Sequence, residues 1–418
     1  MRGKFAHLLC SPWFIFFIAL LLRVAYLLYR AYLIPPEVLA SAPFENEVGN
    51  VAAALADGKG FCCVFREPTG PTAWVAPVYP LILALIFKLF GTFTLAAFYA
   101  AVLLNCLFSA LVCLPLFRIG GHVGGPTVAV LASWIWAIFP SGIILPYAWI
   151  WDTSLSALLA ALLLLFTIQL PESFRPHRYA LYWFLWSFSL LTNPSLGLLL
   201  LFCLGWILLR ESDTVPSRLR RLVIALVVIF LCCLPWTLRN YNAFHRLIPV
   251  RSNFAFEFWS GNNEIFDPNS RAVNRITRYE QVHLYATLGE TAFFDDKWQQ
   301  ARNFVETHPQ LYLHLCAQRV VATWFGTDAP LRDFRRSDSF LARFLLLWNA
   351  FSLVAMLVGL LRLMLKRSPY LFLITSFPLI FPIPFYLAHT SLRHRHPCDP
   401  AVTLLVAIAI VVPHSPRK

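Results

Sequence analysis

Residues 12–29 read PWFIFFIALLLRVAYLLY, an apolar stretch whose only charged residue is Arg23. A helix needs roughly 20 such residues to cross the ~30 Å hydrocarbon core of a bilayer. The rest of the 418-residue chain has the same character, because 59% of its residues are hydrophobic and 13% are charged. Soluble domains carry about 25% charged residues. The sequence therefore predicts an all-α, polytopic membrane protein.

Similar apolar stretches recur along the chain and predict about ten transmembrane helices. We place them at 12–29, 93–117, 124–146, 152–170, 178–193, 195–210, 220–238, 341–363, 369–388 and 399–413. Residues 76–91 form a further apolar stretch, which we interpret as an interfacial or re-entrant helix. Counting it as a span would invert every loop that follows.

Basic residues predict the orientation of these spans. The first span follows Arg2 and Lys4 and lacks a small-residue cleavage site, so we expect it to remain as an anchor. With its N-terminus in the cytoplasm, five basic clusters fall on the cytoplasmic side and obey the positive-inside rule. They are Arg118, Arg175/Arg178, Arg210/Arg218/Arg220/Arg221, Lys366/Arg367 and Arg417/Lys418. Most of the net charge of +13 is this topological signal, so a nucleic-acid partner has little support.

Two regions contain no stretch long enough to span a membrane and are predicted to be external. One is the loop 30–92, inside an N-terminal transmembrane module that covers 1–238. The other is 239–340, predicted to be a small, mostly helical cap. A C-terminal transmembrane module covers 341–418.

The first external loop is acidic at its start and rich in Gly and Pro afterwards. It contains Phe44-Glu45-Asn46-Glu47-Val48-Gly49-Asn50, then Gly70-Pro71 through Tyr79-Pro80, and ends at Lys88-Leu89-Phe90-Gly91. This succession resembles the first external loop of the GT-C glycosyltransferases that use polyprenyl-phosphate sugars. That class includes the protein O-mannosyltransferases and the aminoarabinose transferases of lipid A.

The resemblance implies a GT-C-like helical bundle with interfacial helices, embedded among membrane lipids. It also implies an inverting transfer of a hexose or pentose from a polyprenyl-phosphate donor, on the external face, to a lipid, glycan or protein acceptor. No cofactor or metal is expected, and the sequence contains no C-x-x-C or H-x-x-x-H zinc spacing. The expected location is the bacterial inner membrane, with the active site facing the periplasm or cell exterior.

In the family that the chain resembles, an acidic residue early in this loop accepts the proton of the acceptor. The pattern Glu47-x-Gly49-x-Val51-Ala52 makes Glu47 the first candidate. Glu45 is a rival, because many relatives have an Asp-Glu pair several residues earlier, which would align with Phe44-Glu45. The alternative is that both are solvated charges near a helix N-terminus.

Asp152 is a third candidate, since the resembling enzymes carry an Asp at the start of the equivalent span. It stands at the predicted external mouth of span 152–170, where an Asp can equally serve as the helix N-cap. One residue can do both.

Three arginines at external span ends are candidate ligands for the donor phosphate. Arg239 lies in a Pro-Trp-x-x-Arg-Asn-Tyr pattern, and Arg393 and Arg395 lie in Leu392-Arg393-His394-Arg395-His396-Pro397, close to an Arg-Tyr-Arg-x-Pro pattern of related sequences. Guanidinium groups suit phosphate because their forked donors reach two oxygens. Arg239 can instead be an interfacial anchor. Arg23 is predicted either to snorkel or to contact the donor phosphate.

An alternative function is a polytopic transporter or lipid flippase. Such a protein places ionisable residues near the middle of the bilayer. The candidate carboxylates here cluster at the predicted external surface instead.

Overall fold

The computed structural model describes residues 8–170, 176–210, 215–264, 275–327, 330–337 and 339–411. Within these residues the chain is helical and forms no strand; Cys62 and Pro71 make an isolated antiparallel bridge. The α-helices are α1 Pro12–Tyr32, α2 Pro36–Ser41, α3 Glu47–Ala56, α4 Val78–Phe90, α5 Leu95–Leu111, α6 Cys113–Gly124, α7 Pro126–Ala137, α8 Pro140–Ala148, α9 Thr153–Gln169, α10 Pro176–Thr192, α11 Leu200–Arg210, α12 Val215–Phe244, α13 Phe254–Gly261, α14 Arg275–Leu288, α15 Glu290–Thr307, α16 Pro309–Phe325, α17 Pro330–Arg336, α18 Phe340–Leu365, α19 Leu371–Ile380, α20 Ile383–Leu387, α21 Leu392–Arg395 and α22 Asp399–Ile410.

Five helical segments of the described residues are long and apolar enough to cross a membrane. They are Pro12–Tyr32, Leu95–Gly124, Pro126–Ala148, Leu219–Phe244 and Phe340–Leu365. Each coincides with a predicted span. The predicted spans 152–170, 195–210 and 369–388 coincide with shorter apolar helices, so the count of ten stays a prediction. Helix α4 has 13 residues, fewer than a span needs, and its interfacial position also stays a prediction.

Helices α9 and α22 form the centre of the bundle, and nearly all their side chains are buried. Helix α22 packs closely on α18, where a Cβ at Gly359 would lie 2.2 Å from the carbonyl oxygen of Leu405. The 3₁₀ turn His396–Cys398, which leads into α22, packs on α9. The N-terminal end of α22 therefore lies against α9.

The buried carboxylate of Glu290 joins the two predicted external regions. It accepts hydrogen bonds from the backbone N–H of Ala73 (2.8 Å) and from the hydroxyls of Thr72 (2.5 Å), Ser252 (2.6 Å) and Tyr285 (2.7 Å). The backbone N–H of Ser252 also donates to the carbonyl of Ala73 at 2.9 Å. These bonds fix the segment that follows residue 250 against the first loop.

Arg23 is fully buried and does not snorkel. It donates to Ser109 Oγ (2.9 Å) and to three carbonyl oxygens, of Ala19 (2.8 Å), Trp136 (3.2 Å) and Ala137 (3.1 Å). The last two carbonyls end α7, where the helix dipole is negative. Arg23 thus joins α1 to α5 and α7.

Candidate functional site

Two adjacent cavities lie between the first loop, segment 251–260 and the chain that leads into α22. Their volumes are about 110 and 380 Å³. Four side chains line both of them, namely Trp151, Glu257, His389 and Arg393. Asp152 and Arg251 line only the smaller cavity, and Glu47 lines only the larger one. Arg393 therefore lines a cavity with each of the two carboxylates that the sequence analysis selected.

Two indole rings hold the guanidinium of Arg393. Its Cζ lies 4.2 Å from the ring centroid of Trp149 and 5.0 Å from that of Trp151, in cation–π geometry. Burial lowers the pKa of Arg393, and the charges of Glu257, Glu47 and Asp152 oppose that shift. No ion pair or side-chain hydrogen bond of Arg393 is present within the described residues. Its donors are therefore available to an anion in either cavity.

Glu47 is the first residue of α3, and local sequence fixes its position. Asn46 is the N-cap, and its side-chain oxygen accepts a hydrogen bond from the N–H of Gly49 at 2.9 Å. Gly49 is required by sterics, because a Cβ there would lie 2.0 Å from the carbonyl oxygen of Phe44. The helix start thus packs directly on the preceding turn and brings Glu47 to the wall of the larger cavity.

Asp152 lines the smaller cavity and is 8% exposed. It occupies the N-cap position of α9 without a capping side-chain hydrogen bond. Its carboxylate instead accepts a hydrogen bond from Ser156 Oγ at 2.8 Å, and that hydroxyl accepts one from Asn193 Nδ2 at 3.3 Å.

Several residues of the cavities were not found by the sequence analysis, among them Arg251, Glu257 and His389. Arg251 is a second cation in the smaller cavity, and within the described residues it has no ion pair. Glu257 and His389 form a pair, with Oε2 and Nδ1 3.3 Å apart. None lies in a recognisable motif. One feature of the sequence could have indicated Arg251 as a site residue: it stands next to the polar residues Ser252 and Asn253 in a predicted external region.

Two of the predicted residues line neither cavity. Glu45 forms an ion pair with Arg66, with 3.3 Å between Oε1 and Nη1, and both side chains are about half exposed. Arg239 donates to the carbonyl oxygens of Thr72 at 2.7 Å and Phe61 at 2.5 Å. The Arg239 guanidinium therefore holds the first loop in place.

Arg395 also lies outside both cavities. It is 2% exposed and forms an ion pair with Asp399, with 2.9 Å between Nε and Oδ1. Its other donors reach the carbonyls of Thr323 (3.2 Å) and Trp324 (3.0 Å) near the end of α16, and Asn349 Oδ1 (3.3 Å). Every guanidinium nitrogen of Arg395 is thus occupied by the protein itself.

Within the described residues, no group of three or more His, Cys, Asp and Glu side chains is placed to hold a metal ion. The ionisable side chains of the two cavities are three guanidinium groups, three carboxylates and two imidazoles, namely Arg251, Arg319, Arg393, Glu47, Asp152, Glu257, His389 and His394. Such a set can bind an anion and transfer a proton.

Comparison with known proteins identifies the architecture. No protein-family model and no curated protein sequence matches the chain. Two crystal structures of an oligosaccharyltransferase from Archaeoglobus fulgidus do match. The complex with Zn and sulfate is 13% identical with a TM-score of 0.51, and the apo form is 12% identical with a TM-score of 0.52. The chain shares the fold of this oligosaccharyltransferase, a GT-C-like helical bundle.

The match covers 95–96% of this chain but only 48–50% of the oligosaccharyltransferase. The chain thus spans about half the length of that protein. ArnT from Cupriavidus metallidurans bound to undecaprenyl phosphate is also similar, at 13% identity and a TM-score of 0.41, over 98% of this chain and 78% of that one. The match to the oligosaccharyltransferase, at 12–13% identity, establishes a shared fold. The five long apolar helices are those of an integral membrane protein.

Proposed function

We propose that the chain is a membrane glycosyltransferase that takes a sugar from a polyprenyl-phosphate donor. The observation that carries this proposal is the position of Arg393, which lines two joined cavities with Glu47 in one and Asp152 in the other. An anion-binding group that shares a cavity with each of two carboxylates suits a reaction that needs a base and releases a phosphate. The shared GT-C fold supports the same reaction class.

In this proposal the donor phosphate lies in the smaller cavity against Arg393 and Arg251. Both guanidinium groups line that cavity, and neither has an ion-pair partner within the described residues. Guanidinium binds phosphate through two parallel N–H donors. Of the three predicted phosphate ligands, only Arg393 binds the phosphate in this arrangement. Arg239 and Arg395 have structural roles, because carbonyl and carboxylate oxygens of the protein already accept their hydrogen bonds.

The acceptor enters through the larger cavity, where Glu47 is the base. The Glu47 carboxylate takes the proton of an acceptor hydroxyl as its oxygen forms a bond to the anomeric carbon. The bond between that carbon and the phosphate oxygen breaks, and its electron pair leaves with the polyprenyl phosphate. Because attack and departure occur on opposite faces, the product is inverted. Arg393 and Arg251 stabilise the charge of the departing phosphate.

The active site is proposed to face the cell exterior or periplasm of a bacterial inner membrane. Lys59 and Arg302 are exposed in the two predicted external regions, whereas Arg118 and Lys366 are exposed at predicted cytoplasmic ends. Reporter proteins fused after Lys59 and after Arg302 should be located outside the cytoplasm. Reporters fused after Arg118 and after Lys366 should be located in the cytoplasm. Opposite locations for Lys59 and Arg302 would contradict the proposal, because Glu290 ties these two regions together.

A transporter or flippase has less support from the structure. The ionisable side chains of the cavities lie outside the interiors of the predicted spans: at helix ends, in loops, in the short helices α13 and α21, or, for Arg319, in α16 of the second predicted external region. One buried cation inside a predicted span, Arg23, is engaged by one hydroxyl and three carbonyl oxygens. Arg23 therefore serves helix packing rather than a conduction path.

The test of the reaction is Glu47→Gln, assayed in membranes with polyprenyl-phosphate sugars. We expect turnover to fall by ~10²-fold or more, since general-base contributions are of that order, while donor affinity stays the same. Glu45→Gln is the matched control, because Glu45 lies two residues away and lines neither cavity. Equal effects of the two substitutions would remove Glu47 from the reaction.

A further inference from the structure

Asn253 occupies a helix N-cap but does not cap. It precedes α13, and its side chain makes no capping hydrogen bond. Elsewhere in the described chain, Asn46, Thr94, Asn193 and Ser339 stand at N-caps and do accept such a bond. An N-cap side-chain oxygen normally satisfies a backbone N–H of the first helical turn. At Asn253 this oxygen is directed elsewhere.

The orientation of the Asn253 amide is set by Glu257. Its Nδ2 lies 2.8 Å from Glu257 Oε1, and a carboxylate can only accept, so the amide nitrogen must face Glu257. Asn253 Oδ1 is then left as an acceptor. This oxygen is buried and has no hydrogen-bond partner, in a residue that is 3% exposed and lines the smaller cavity. A buried, unsatisfied acceptor costs about 1–3 kcal/mol, so a ligand donor is the expected partner.

Two other groups of the same cavity resemble Asn253. Asp152 is the second N-cap residue of the cavity wall without a capping side-chain bond. His394 lines the cavity and its Nδ1 is also buried without a partner. Burial, His389, Arg393 and Arg251 hold the pKa of His394 well below its ordinary value, so the ring is neutral. The wall thus presents acceptors and a neutral imidazole, while Arg251 and Arg393 present cationic donors.

We infer that Asn253 and Asp152 recognise the sugar of the donor, whose hydroxyl groups donate to Asn253 Oδ1 and the Asp152 carboxylate. This inference rests on the proposed function, because it assumes that the phosphate lies on Arg251 and Arg393. It also defines the substrate class. Two carboxylates, Asp152 and Glu257, line the cavity. They favour a neutral, hydroxyl-rich sugar over a uronic acid, whose own carboxylate they repel.

The test compares the affinity of the purified protein for a long-chain polyprenyl monophosphate with its affinity for the same lipid carrying a neutral hexose or pentose. In the unmodified protein, at least one glycosylated lipid should bind more tightly than the bare phosphate. Asn253→Leu should reduce this preference by about threefold to tenfold, the range of one or two lost hydrogen bonds. The affinity of Asn253→Leu for the bare polyprenyl monophosphate should stay within about twofold of that of the unmodified protein. Unchanged phosphate binding also shows that the variant is correctly folded. If Asn253→Leu does not fold, Asn253→Ala replaces it in the same comparison.

Asn50→Leu is the matched control. Asn50 is also buried, at 7% exposure, and has an unpartnered Oδ1, but it lines neither cavity. Asn50→Leu should therefore leave the preference for the glycosylated lipid over the bare phosphate unchanged. The inference is overturned if Asn253→Leu keeps the full preference, or if the uronic acid form binds as tightly as the neutral forms. A failure of the proposed function looks different, since the bare phosphate would then bind equally well to Arg393→Ala.

Discussion

Arg393 and Arg395 belong to one short helix, yet their surroundings are opposite. Arg395 is enclosed by Asp399, two carbonyls and Asn349. Arg393 lies between two tryptophan rings and faces the cavities with no anionic partner within 4.0 Å among the described residues. The same residue type thus serves packing at one position and, in our proposal, ligand binding two positions earlier. The difference lies in whether the protein itself supplies the acceptors.

The largest expected effect tests whether Arg395 stabilises the fold. Arg395→Ala leaves Asp399 buried beside only His396 and Ser141. Removing one member of a buried pair costs about 3–5 kcal/mol, so the yield of folded protein and its thermal stability in detergent should fall sharply. Arg395→Met combined with Asp399→Leu should recover part of the loss, because it removes both charges. Normal stability of Arg395→Ala with weakened donor binding would reverse our assignment and make Arg395 a phosphate ligand.

The second largest expected effect tests whether Arg393 binds the donor phosphate. Arg393→Ala should weaken binding of a polyprenyl monophosphate by about 1.5–3 kcal/mol, the range of hydrogen bonds to charged groups. Arg393→Lys should lose less, since lysine keeps the charge but not the planar fork. Thermal stability should change little in both, in contrast to Arg395→Ala. If Arg393→Ala destabilises the protein without affecting binding, the comparison fails, and Arg251 becomes the remaining cation of the smaller cavity.

The sequence predicted the membrane class and the long spans because hydropathy is a local property. It also placed Glu47, Asp152 and Arg393 among its candidates, and all three line the cavities. Spacing alone contained a signal that Arg395 differs from Arg393, since Asp399 stands four residues after Arg395 and helical neighbours at that distance pair.

The remaining cavity residues could not be predicted from local patterns. Arg251, Glu257 and His389 come from segments far apart in the sequence from Glu47, and tertiary contacts bring them together. Glu290, which holds Ser252 against Ala73, is one of these contacts. Neither its four donors nor its burial is visible in a sequence.

The smallest expected effect concerns a third arginine, Arg66. Like Arg395 it forms an ion pair, but unlike Arg395 it is exposed. Its ion pair with Glu45 is about half exposed on both sides, and its guanidinium lies 4.6 Å from the ring centroid of Phe93. Exposed ion pairs contribute roughly 0.2–1 kcal/mol, and exposed cation–π contacts about 0.5–1 kcal/mol. Arg66→Ala should therefore lower stability by less than ~2 kcal/mol and leave phosphate binding unchanged. Because Arg66 has a positive φ of 73°, Arg66→Gly should be less destabilising than Arg66→Ala. Stability losses as large as those of Arg395→Ala would show that burial is not what separates these arginines.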